Sequence, residues 1–101
     1  MKYVILEGTH ERTGDTHEVP FIFPGIVNHS DFKRFRRYEH LRDVEIVAAG
    51  FVSFAGDGVA YCEGRSESLK MESRGDIDAE IINRANRHWN STVKDEPIEQ
   101  Q

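Results

Sequence analysis

The sequence predicts an α+β domain: a mainly antiparallel sheet of four to five strands with two helices packed on one face, in the order β-β-α-β-β-(β)-α. Three observations carry this expectation. A long apolar run, Val44 to Phe54, turns back through Ala55-Gly56-Asp57-Gly58 into Val59 to Cys62, the signature of a hairpin. Two other stretches, near residues 31–41 and 76–89, have apolar residues at helical spacing. The strand runs are joined by turns rather than by regular strand-helix-strand alternation, which favours antiparallel pairing.

Taken in order, Lys2 to Glu7 (KYVILE) is a short strand and the polar stretch Gly8 to Thr16 a loop. Val19 to Phe23 is a second strand that can pair with the first. Pro20 has no N–H to give a ladder, which places this strand at an edge. Pro24-Gly25 marks a turn. Ser30 or Asp31 then caps a helix reaching about Leu41. Phe32, Phe35 and Tyr38 recur every three residues on its core side, leaving Lys33, Arg34, Arg36 and Arg37 on the other.

The next strand is apolar on both faces and should be central. Val47, Ala49 and Phe51 fall on one face, and Val44, Ile46 and Ala48 on the other. Gly50 is either a bulge or a point of close backbone approach. After Gly64, the alternation from Ser66 to Met71 suggests a third strand of this group. Asp76 is the expected N-cap of the last helix, whose stripe is Ile77, Ile81, Ala85 and Trp89, widened by Ile82. Periodicity ends at Asn90, so residues 1–89 form the single domain and 90–101 a disordered acidic tail.

Composition fits this picture. At 101 residues, 38% hydrophobic and 31% charged, the chain suits one soluble core. A single cysteine excludes an intramolecular disulfide and suits a reducing cytoplasm, with Cys62 read as a small buried apolar residue rather than a nucleophile. No apolar segment approaches the roughly 20 residues of a membrane span. Tyr3 to Leu6 is too short a hydrophobic run for a signal peptide, so the expectation is a cytoplasmic protein without a membrane. The formal charge of −5 counts against a protein that coats DNA.

Each candidate for chemistry has a plainer reading beside it. Lys33, Arg34, Arg36 and Arg37 could hold phosphates or an acidic protein surface, or could be a solvated helix face. Gly64-Arg65-Ser66-Glu67-Ser68 could offer Arg65, Ser66, Ser68 and backbone N–H groups to an anion, or be a turn. The five histidines are scattered; only His10, His17 and Glu11 share a loop, and His29 reads as a cap or turn residue. Nothing calls for a cofactor. Arg74-Gly75-Asp76 spells an adhesion tripeptide, but its position before a helix makes coincidence the better account.

The segments VPFIFPGIVNHSDF, AAGFVSF and CEGRSESLKMESRGDIDAEII together resemble small proteins of tailed bacteriophages and prophages. Those proteins have no assigned activity. The resemblance implies a phage-derived protein expressed in the host cytoplasm, covers about residues 1–89, and transfers no functional residues. The function expected is a non-enzymatic module that binds a host or phage protein and could self-associate. The alternative is a nucleotide or nucleic-acid binder using the basic helix face with help from Arg65, and a small metal-dependent or hydrolytic enzyme ranks last.

Overall fold

The computed structural model describes residues 1–95, and side chains as far as residue 87. β1 (Lys2–His10) and β2 (Thr16–Phe23) form an antiparallel hairpin, with Ile5 opposite Pro20. On its other side β1 pairs with β4 (Leu41–Phe54). β3 (Arg37–Tyr38) and β5 (Ala60–Glu63) share the far edge of β4, one at each end. The result is a five-stranded antiparallel sheet, ordered β2-β1-β4-β3 with β5 also on β4. Pro20 does sit in an edge strand, where a missing N–H costs no ladder bond.

A small hairpin of β6 (Arg65–Ser66) and β7 (Met71–Glu72) precedes the long helix α1 (Asp76–Asp95). The class is therefore α+β, as the sequence predicts, but the helices differ from expectation. In place of the first helix there is a six-residue 3-10 helix, His29–Arg34, with Asn28 at its N-cap and no side-chain capping bond. The chain then enters β3. Lys33 and Arg37 are four apart, so an α-helix would stack like charges on one face, and neither Ser30 nor Asp31 caps it.

The two helices also pack on opposite faces rather than on one. Tyr3 and Ile5 of β1 meet Ala48, Val52, Ala60 and, from α1, Ile82. Val4 and Leu6, pointing the other way, meet Val44 and Ala49, with Phe32 of the 3-10 helix and Leu69 and Met71 of the small hairpin closing over them. β1 is buried on both sides because it is sandwiched between these two half-cores.

Register along β4 is set by a bulge. Ile5 pairs with Ala48 but Leu6 with Ile46, so Val47 is the extra residue. The slip turns Val44 and Ile46 to the same face as Ala49, while Val47 and Ala48 pack on the face of α1, which replaces the strict alternation expected. Gly50 is not the bulge; it is a close approach, where a Cβ would lie 2.7 Å from the Glu63 carbonyl oxygen. The expected strand Ser66 to Met71 is instead a turn between two short arms, with Lys70 at positive φ.

α1 also starts differently. Asp76 is its first residue and is exposed; the buried Asp78 and Ser73 take the free backbone N–H groups, from Arg74 and Gly75. Its buried stripe is Asp78, Ala79 and Ile82, while Ile77 is 59% exposed. The helix continues six residues past Trp89, to Asp95, so that part of the expected tail is helical. Residues 96–101, and the Trp89 side chain, lie outside the described residues.

Candidate functional site

Because the first helix does not form, its cations are not gathered on one helical face. Lys33, Arg34, Arg36 and Arg37 are all exposed, but they do different things. Arg37 is paired with Glu11 at 2.6 Å. Arg36 donates to the Lys33 carbonyl at 3.2 Å, which curls the two cations over the end of the 3-10 helix.

Beneath Lys33 and Arg36 lies an open groove of about 270 Å³. Its floor is Phe32, Phe35, Ile46, Leu69 and Met71, with Glu45 on the rim. The floor residues come from three separate stretches. Phe32 and Phe35 lie 5.5 Å apart between ring centroids with their planes tilted by 34°, and Phe21 and Tyr38 complete an aromatic cluster behind them. On this side of β4 the stretch from Asp43 to Gly50 has no strand partner among the described residues, because pairing with β3 ends at Arg42 and pairing with β5 starts at Phe51. The groove occupies that gap, and Phe35 stays 40% exposed beside it.

Arg65, Ser66 and Ser68 belong to a different depression. Arg65 and Ser68 line a cleft of about 510 Å³ with Lys2, Asn28, His29, Phe51 and Glu67. Ser66 is buried, and its hydroxyl accepts from the Leu69 backbone at 3.2 Å, so it braces the hairpin turn rather than facing the cleft. His29 is neither cap nor turn residue: its ring is buried, and Nε2–H donates to the Gly50 carbonyl at 2.9 Å.

The most extensive polar network was invisible in the sequence. Asp78, fully buried, accepts from the Tyr3 hydroxyl, from the Arg74 backbone at 2.8 Å and from Arg74 Nε at 2.7 Å. Arg74 forks on to Glu18 through both terminal nitrogens, at 3.2 and 2.9 Å. The pairing with Glu18, and then with Asp78, raises the Arg74 pKa against the opposing pull of its burial. Burial first, then the Asp78 carboxylate, raises that of Tyr3. No buried polar side-chain atom among the described residues lacks a hydrogen-bond partner, and this network ties α1 to the sheet. It also occupies the arginine of the Arg-Gly-Asp tripeptide. Half-buried Cys62 packs against the same half-core, and desolvation pushes its thiol up to about 11, the opposite of an activated nucleophile.

His10 and His17 do meet across the first hairpin, with ring centroids 5.7 Å apart, and His40 joins at 6.0 Å. Yet His10 Nδ1 accepts from the backbone of Arg12 and Thr13, and Glu11 is engaged by Arg37. Among the described residues, no group of three or more His, Cys, Asp or Glu side chains is placed to hold a metal ion. None of their helices is long and apolar enough to cross a membrane.

No family model matches the chain, and no curated protein or solved structure does either. The functional reading therefore rests on the two depressions themselves.

Proposed function

We propose that this chain is a non-enzymatic interaction module that docks an acidic protein segment, anchored by an apolar side chain, in the groove beneath Lys33 and Arg36. The observation that carries this reading is the open apolar floor, contributed by three stretches of chain that converge without sealing it. Apolar pockets rimmed by charge are where binding energy concentrates, and Met71 and Leu69 offer a floor that adapts in shape. Lys33, Arg34 and Arg36 complement carboxylates flanking the anchor. Origin as a small phage protein acting in the host cytoplasm on a host or phage partner belongs to the same proposal; its support is the resemblance of the three segments.

Nucleic-acid binding through the basic segment has weaker support. Its cations no longer form one continuous face, Arg37 is spent on Glu11, and Arg65 lines the other depression. A phosphate track needs several free cations in line.

The test is capture from bacterial lysate, with and without nuclease treatment, by the wild type, Phe35→Ala and Arg36→Glu. An acidic protein should be retained by the wild type and weakened roughly tenfold or more by either change, as for an anchor contact. Retention of nucleic acid that vanishes with nuclease and falls steeply with salt would favour the alternative instead. A second copy of the chain as the occupant would appear as concentration-dependent sedimentation that Phe35→Ala removes.

A further inference from the structure

Three of the segments singled out in the sequence meet at one place that the interaction groove does not use. The strand ending in Phe23-Pro24 leads to His29, the central strand brings Gly50 and Phe51, and the turn after Gly64 brings Arg65 and Ser68. His29 is only 4% exposed. Its ring is held edge-on by Phe23 at 5.5 Å and by Phe51 at 5.8 Å, and its Nε2–H is fixed on the Gly50 carbonyl. Among the described residues Nδ1 has no hydrogen-bond partner, yet none of their buried side-chain nitrogens lacks one. Nδ1 therefore retains some exposure, and His29 lines the cleft.

Around that nitrogen the cleft is cationic. Lys2 spends one ammonium hydrogen on the Val27 carbonyl at 3.0 Å and keeps two. Arg65 touches Glu67 only through Nε at 3.6 Å, leaving its terminal nitrogens unengaged. Phe51, 45% exposed, is an aromatic wall beside them. Two cations with spare donors, a preoriented imidazole and a ring face fit a ligand that combines a dianionic phosphate with a planar group. At about 510 Å³ the cleft is of a size that suits such a molecule and exceeds what a bare anion fills.

We infer that this cleft binds a small phosphomonoester of nucleotide size, its phosphate held by Lys2 and Arg65 beside His29 and its planar part against Phe51. Glu67 is the opposing charge in the cleft and weakens the site.

The experiment titrates the full chain with adenosine monophosphate, inorganic phosphate and adenosine, followed by amide chemical shifts. Adenosine monophosphate should bind most tightly, inorganic phosphate more weakly, and adenosine not measurably, with shifts centred on His29, Phe51 and Arg65. Arg65→Glu should weaken the monophosphate roughly tenfold or more, the worth of a charge-assisted bond. Glu67→Gln should tighten it; both side chains are exposed, so folding is not at stake. No binding at millimolar ligand, equal binding of adenosine, equal affinity for inorganic phosphate, or indifference to Arg65→Glu would each overturn the assignment.

Discussion

The hydroxyl of Tyr3 donates to the carboxylate of Asp78 across 75 positions of sequence, joining the innermost strand to the first turn of α1. Asp78→Ala should therefore do more than uncap a helix. It leaves the Tyr3 hydroxyl with Ser73 Oγ alone and removes one of two partners from Arg74, at a cost of about 3 kcal/mol. Tyr3→Phe deletes the hydroxyl's bonds to Asp78 and Ser73 and keeps the Arg74 pair, costing about 1.5 kcal/mol. Urea unfolding of both variants checks the order; stabilities equal to that of the wild type would show that the network contributes nothing to holding α1 down.

Cys62 gives the fold a pH dependence of defined sign. Burial holds its thiol protonated up to about 11, whereas an unfolded thiol titrates at about 8.5. Between those values the unfolded chain has lost a proton that the folded protein keeps, so stability is full below the lower value and falls as pH rises toward the upper one. The raised Tyr3 hydroxyl adds a further loss beginning near pH 10, the ordinary tyrosine value. Chemical denaturation across this window should show the slope, and Cys62→Ala should remove its lower part. A flat profile in the wild type would contradict the burial of the thiol.

Gly50 is a steric requirement. A Cβ there would meet the Glu63 carbonyl at 2.7 Å and the Ser73 Cβ at 3.0 Å, both on chain held in place by the sheet and by the start of α1. Gly50→Ala should lower stability by about 1–3 kcal/mol, as other overpacked sites do. Gly56→Ala, where nothing lies within 4 Å, is the control and should be near neutral. Thermal melts compare them, and matching melting temperatures would mean the backbone opens freely at Gly50.

Fold class, the first hairpin and the Ala55–Gly58 turn were legible because each rests on local chemistry: alternation, a proline at an edge, glycines in a turn. The first helix was misread for an instructive reason. A spacing of three serves a 3-10 helix better than an α-helix, since residues i and i+3 eclipse, and Phe32 in the helix meets Phe35 at its C-cap as a tilted pair. Tyr38 reaches the same cluster from β3, through an edge contact to Phe21. The bulge at Val47 left no sequence signal and inverted the assignment of faces. Of the candidate site, Arg65 and Ser68 were found as residues, but their meeting with Lys2 and His29 depends on strand pairing between distant segments. The role of Asp78 was hidden behind Asp76, the better-looking cap, because burial against Tyr3 decides which carboxylate is used.

A photoreactive phenylalanine analogue at position 35 reports whether the groove beneath Lys33 and Arg36 is the docking surface. The same probe at Ile77, an exposed apolar position on α1, which packs on the other face of the sheet, is the comparison. Irradiation in host-like lysate should yield a discrete crosslink to an acidic protein from position 35 and none from position 77. Crosslinks of equal yield from both positions, or from position 77 alone, would contradict the account.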